Sequence, residues 1–103
     1  MSIAELPIHI DREKVAEFCR ARGIRKLSLF GSVLRDDFDP LQSDVDVLAE
    51  FEPGATRGVG FRYFGYADQL AEILGHRVDF FSRLSPHIDA AVRREALPIY
   101  ERS

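Results

Sequence analysis

The sequence predicts one α/β domain spanning residues 1–103. Three observations lead there. Runs at Ile24 to Phe30, Ser43 to Phe51 and Arg77 to Ser82 are short and rich in Val, Leu, Ile and Phe, and they read as strands. The segments between and around them place apolar residues at helical spacing. Finally, 103 residues that are 46% hydrophobic, with eight Phe and three Tyr, supply one core and leave no room for a second domain. The resulting order of strand, turn-helix, strand, helix, strand, helix makes an α/β chain, and spacing alone leaves several sheet orders open.

Residues Met1 to Ile10 form a lead-in broken by Pro7. Asp11 is placed to cap a helix running to about Ala21. Val15, Phe18 and Cys19 make its i, i+3, i+4 stripe, and Gly23 suits the position just past its end. The first strand follows, with Leu27 and Leu29 on one face. Gly31 to Arg35 then reads as a turn and short helix. Asp36, Asp37, Asp39 and Pro40 read as a solvated acidic loop. Pro53-Gly54 ends the second strand. After a glycine-containing connection, a helix is expected from about Phe61 to Leu74, burying Phe64, Ala67, Leu70, Ala71 and Leu74. The aromatic cluster Phe61, Tyr63, Phe64 and Tyr66 reads as core packing, with base stacking as the alternative. Ser85-Pro86 opens the last helix, and Ala96 to Glu101 reads as a short final strand.

The chemistry is concentrated around the first two strands. Asp44 and Asp46 are two apart, so their carboxylates point the same way, while Val45, Val47, Ala49 and Phe51 point into the core. Two parallel carboxylates repel, and a cation between them relieves the cost; Mg²⁺ prefers such oxygen ligands together with substrate phosphates. Gly31 permits unusual backbone angles and close approach, and Ser32 adds a hydroxyl where a helix would begin, so this turn is a candidate phosphate site. Arg35 lies within reach of the same phosphate. Ser43 is expected to help the loop enter the second strand. Asp79 sits in a Val- and Phe-rich run, where it requires either a metal or a salt bridge to Arg77 or another arginine.

Gly31-Ser32 followed by Asp44-x-Asp46, flanked by two apolar strands, resembles the nucleotidyltransferase superfamily of the polymerase-beta type. The short chain and Arg35 resemble its minimal branch, the MNT domain. The likeness runs roughly from Leu27 through Phe81, and Asp79 matches the third acidic residue of that family. The resemblance implies a small mixed sheet with helices on one side. It implies two Mg²⁺ ions held by Asp44, Asp46 and Asp79, with the triphosphate of ATP cradled by Gly31, Ser32 and Arg35 and a hydroxyl attacking the α-phosphate. Separate roles for the three carboxylates stay open. MNT domains act as antitoxins of HEPN-family ribonucleases, so the implied acceptor is a tyrosine of such a toxin, which becomes adenylylated. Two positions depart from the family pattern: Leu34 replaces a small residue, and Asp36 replaces a frequent glycine. They motivate the alternative of a binding antitoxin that neutralises its toxin by covering it. Adenylyl transfer to a small molecule, with a pocket completed by another chain, is a third reading.

Composition narrows the setting. A net charge of −3 argues against broad, stable nucleic-acid binding, which needs clustered Lys and Arg. No long apolar run suggests a membrane span, and residues 1–5 lack the pattern of a signal peptide. The single cysteine, Cys19, rules out an internal disulfide and fits a reducing, cytoplasmic location; on the helix stripe it reads as a buried hydrophobe. His9, His76 and His87 lack zinc-ligand spacing and read as surface residues.

Overall fold

The computed structural model describes residues 3–55, 65–82 and 86–102. Helix α1 spans Arg12–Arg22, and its start is set by Asp11, whose side chain accepts a hydrogen bond from the Lys14 N–H at 3.1 Å. Its end is set by Gly23, in the left-handed conformation (φ 69°), whose N–H donates to the Cys19 carbonyl. A β-carbon at Gly23 would meet the Ala55 methyl at 2.6 Å, so both conformation and space call for glycine.

Strand β1 (Ile24–Phe30) leads through a 3₁₀ turn (Gly31–Leu34) and a polar loop into β2 (Val45–Phe51). Helix α2 (Tyr66–Leu74), strand β3 (Val78–Phe81), helix α3 (Pro86–Glu95) and strand β4 (Leu97–Glu101) complete the described elements. The sheet order is β3-β2-β1-β4; β1 pairs antiparallel with β2 and β4, and β2 pairs parallel with β3. The expected mixed sheet is therefore present. Pro98, which has no N–H to donate, sits on the edge strand β4, next to a register shift in its pairing with β1.

Leu27 and Leu29 of β1 and Val45, Val47 and Ala49 of β2 are fully buried on one face. Val15, Phe18 and Cys19 of α1 and Tyr66, Leu70 and Leu74 of α2 join them in one core. Burying a Val, Leu or Phe side chain contributes about 1.5–3 kcal/mol, so this layer outweighs the surface interactions described below. Tyr66 is core: its ring lies edge-on to Phe18 and to Phe80 with centroids 6.1 Å away in each case. That removes Tyr66 as an exposed stacking platform. The expected positions of Phe61, Tyr63 and Phe64 and of the Ser85 cap lie outside the described residues. Burial pushes the Cys19 thiol up to about 12, against the pull of Arg22 and Arg20, so it stays protonated and inert.

The other face of the sheet carries Ser28, Phe30, Asp46, Leu48 and Glu50, with Asp79 and Phe81 from β3. Phe30 and Phe81 pack together at 5.5 Å. Arg93 of α3 reaches Glu50 on this face at 3.3 Å and is braced by Asp89 one turn earlier at 2.9 Å. Among the described residues no helix is long and apolar enough to cross a membrane.

Candidate active site

Strand register gathers the candidate residues. Because β1 and β2 are antiparallel, the end of β1 meets the beginning of β2, and Phe30 is paired with Asp46. Because β2 and β3 are parallel, their beginnings lie side by side, and Asp46 is paired with Asp79. Gly31, Asp46 and Asp79 therefore meet at one end of the sheet.

Gly31 adopts φ 77°, a conformation that L side chains rarely take. A β-carbon there would collide with Oδ2 of Asp46. The turn is thus pressed against the carboxylate, and only glycine allows it. Val33, fully buried, anchors the 3₁₀ turn in the core, and Leu34 packs against the same core from its edge. That packing accounts for a large residue at position 34. The Arg35 N–H closes the turn by donating to the Ser32 carbonyl at 2.9 Å.

Asp46 is half-buried. Burial chiefly, and then the charges of Asp79 and Asp44, raise its carboxyl above the ordinary value, while Arg35 pulls it down. Asp79, Asp44 and Arg35 are therefore all close enough for their charges to act on Asp46. Asp44 lies just ahead of β2 rather than inside it, and its Oδ1 is held by Arg77 Nε at 2.9 Å. Arg77 also donates to the Gln42 carbonyl, and its own carbonyl accepts from the Val45 N–H at 2.8 Å, so it pins the entry to β2.

Asp79 corrects one expectation. Its Val- and Phe-rich neighbourhood suggested a buried carboxylate in need of a metal or an arginine. It is exposed, because β3 is an edge strand and Asp79 faces away from the core, so water can solvate it. Arg77 pairs with Asp44 instead. The acidic loop behaves as expected. Asp36, Asp37 and Asp39 are exposed, Arg35 meets Asp37 at 3.5 Å, and the Ser43 hydroxyl accepts from the Asp39 N–H at 3.0 Å as the chain enters β2.

Asp44, Asp46 and Asp79 are the residues that could hold a metal, and their all-oxygen donor set and mutual repulsion suit a hard divalent cation. Among the described residues, no three His, Cys, Asp or Glu side chains are already drawn together as a metal cage. The set is a row of neighbouring carboxylates, with Asp44 turned toward Arg77.

A cleft of about 430 Å³ opens beside Gly31, between the 3₁₀ turn and the α3–β4 junction, lined by Leu34, Arg35, Arg94, Glu95, Ala96 and Leu97. Arg94 was not legible as a site residue. The pair Arg93-Arg94 in a last helical turn looks like ordinary dipole compensation, and only the tertiary contact separates them.

The family model for the nucleotidyltransferase domain matches residues 12–97 of this chain. The chain belongs to the nucleotidyltransferase domain family. The matched segment of this nucleotidyltransferase starts at the first residue of α1 and ends at the first residue of β4, enclosing every candidate residue above. It is similar to a solved structure described as a minimal nucleotidyltransferase, at 36% identity over 84% of this chain and 87% of that one, with a TM-score of 0.67. Two more distant structures share its fold. One is a mutant of the toxin–antitoxin MntA–HepT, at 16% identity, 91% and 75% coverage and TM-score 0.66. The other is a toxin–antitoxin with AMP-PNP, at 18% identity, 91% and 76% coverage and TM-score 0.67. Comparison with curated proteins returns no match.

Proposed function

We propose that this nucleotidyltransferase transfers AMP from ATP, with Mg²⁺, to a tyrosine hydroxyl of a HEPN-family toxin, and so acts as its antitoxin in the cytoplasm. The observation that carries the reading is the junction of Gly31 with Asp46, whose carboxylate is pressed by the charges of Asp79 and Asp44. Family membership supports the reaction type. The distant neighbours, one a toxin–antitoxin pair and one bearing AMP-PNP, support the partner and the donor.

In this reading Asp44, Asp46 and Asp79 would hold two Mg²⁺ ions, which supply charge neutralisation for the triphosphate and a lower pKa for the acceptor hydroxyl. Gly31 lets the backbone approach the phosphates, and the Ser32 hydroxyl and Arg35 guanidinium bind their oxygens. The hydroxyl oxygen attacks the α-phosphorus, the bond to the β-phosphate oxygen breaks, and pyrophosphate leaves. The hydroxyl proton passes to a carboxylate of the cluster, of which Asp44 and Asp79 are exposed to an incoming protein side chain. Positioning and charge do most of the work, as in other phosphoryl-type transfers.

The test is incubation with labelled ATP, Mg²⁺ and the HEPN-family toxin proposed as partner. Label should appear on the toxin and be lost with Asp46→Asn. Folded protein that leaves the toxin unlabelled would overturn the reading. One observation favours a second reading, that of a binding antitoxin: one carboxylate oxygen of Asp44 is taken by Arg77. If the Asp44→Asn, Asp46→Asn double variant still protects cells from the toxin, neutralisation is by covering.

A further inference from the structure

Two adjacent arginines end helix α3, and they do different things. Arg93 bonds Asp89 at 2.9 Å and Glu50 at 3.3 Å, and so ties the helix to the sheet. Arg94 has no ion-pair partner among the described residues; it is exposed and lines the cleft beside Gly31. Arg35 lines the same cleft, from the 3₁₀ turn, and its contact with Asp37 at 3.5 Å is an exposed pair of the kind that exchanges readily. Two guanidiniums from two separate elements thus border one concavity, against a single carboxylate, Glu95. The volume, about 430 Å³, is in the range of small-ligand sites. Gly31 is the shared wall: Asp46 lies on its β2 side, and the cleft opens on its β4 side.

We infer that this cleft binds the anionic end of a nucleoside triphosphate, and that Arg94 of α3 is the second cationic clamp, facing Arg35 across it. A planar guanidinium donates two parallel hydrogen bonds to phosphate oxygens, which a helix-borne arginine can do without remodelling the turn. With the terminal phosphates held on the β4 side, the α-phosphate comes to the Gly31–Asp46 junction, where transfer takes place. Glu95 disfavours anions at its own end of the cleft and limits how deep the polyphosphate enters. This inference rests on the adenylyl-transfer reading, since it assigns the leaving pyrophosphate a place.

The experiment is calorimetric titration of the full chain with AMP-PNP, with inorganic tripolyphosphate and with AMP, each with Mg²⁺. Arg94→Ala should weaken AMP-PNP and tripolyphosphate about tenfold, the scale of one lost charge-assisted contact, and leave AMP unchanged. Arg94→Lys should recover part of the loss, and Glu95→Gln should tighten tripolyphosphate binding. Thermal unfolding of the unliganded Arg94→Ala protein should match that of the parent, because Arg94 contributes no described ion pair. Unchanged AMP-PNP affinity in Arg94→Ala, or equal losses for AMP and AMP-PNP, would overturn the assignment of Arg94 and leave adenylyl transfer standing. A parent protein that binds neither AMP-PNP nor tripolyphosphate would sink both.

Discussion

Strand β1 is bracketed by two glycines, and the contrast between them explains how this fold carries a site. Gly23 and Gly31 have nearly the same backbone, φ 69° and φ 77°, and in both a β-carbon would run into a neighbour. At Gly23 the neighbour is the methyl of Ala55, and the Gly23 carbonyl accepts from the Glu52 N–H at 2.7 Å. At that end the glycine meets an apolar methyl and its carbonyl is satisfied by the backbone, and it serves folding. At Gly31 the neighbour is the Asp46 carboxylate, already disfavoured by burial and by two more acids. The same local device thus closes a helix at one end and holds a charged group in an unfavourable position at the other. A charge disfavoured at one end only, on a scaffold otherwise packed for folding, is what a binding site requires.

The comparison can be broken most sharply at its charged end. Asp46→Asn should cut transfer to the toxin about a thousandfold, on the scale of losing a central electrostatic group, while the melting temperature holds or rises because repulsion is relieved. Gly31→Ala should come next. It forces a side chain into a left-handed turn and against the carboxylate, so transfer should fall about a hundredfold, with stability reduced by about 1–3 kcal/mol in urea titration. Gly23→Ala should reproduce a stability loss of about 1–2 kcal/mol, yet leave the transfer rate at a permissive temperature unchanged. If Gly23→Ala also abolished transfer, the two ends would not be separate.

A pH series sharpens the same contrast with a smaller effect. The folded-state pKa of Asp46 is raised, so its carboxylate is less favourable in the fold than in the unfolded chain. Its contribution to stability is fully present below the unfolded value of 3.8 and is lost as pH rises through the raised folded value. Denaturant titrations across that window should show a decline that Asp46→Asn flattens. Arg77→Gln should have the smallest effect on stability, within about 1 kcal/mol, because the pair with Asp44 is exposed.

Much of this was legible beforehand because it is local. Asp11 and Gly23 bound α1 as their chemistry requires, and the alternation through Val45, Val47 and Ala49 put Asp46 on the opposite face. The Gly-Ser turn after β1 was readable from glycine's backbone freedom. The burial of Tyr66 agrees with the reading of its aromatic cluster as core, and the tertiary structure adds its partners, Phe18 and Phe80. The exposure of Asp79 was misjudged from its apolar neighbours, because sequence does not say that β3 is an edge strand.

Residue order by itself determined which side chains share a face, where helices start and stop, and that a glycine-serine turn precedes an Asp-x-Asp pair. These follow from backbone periods and capping, which act over a few residues. Only the tertiary structure decided that Asp79 lies beside Asp46, that Arg77 takes Asp44, and that Arg94 rather than Arg93 borders the cleft. Those outcomes depend on strand order and register, which are set by the packing of the whole core and not by any short segment.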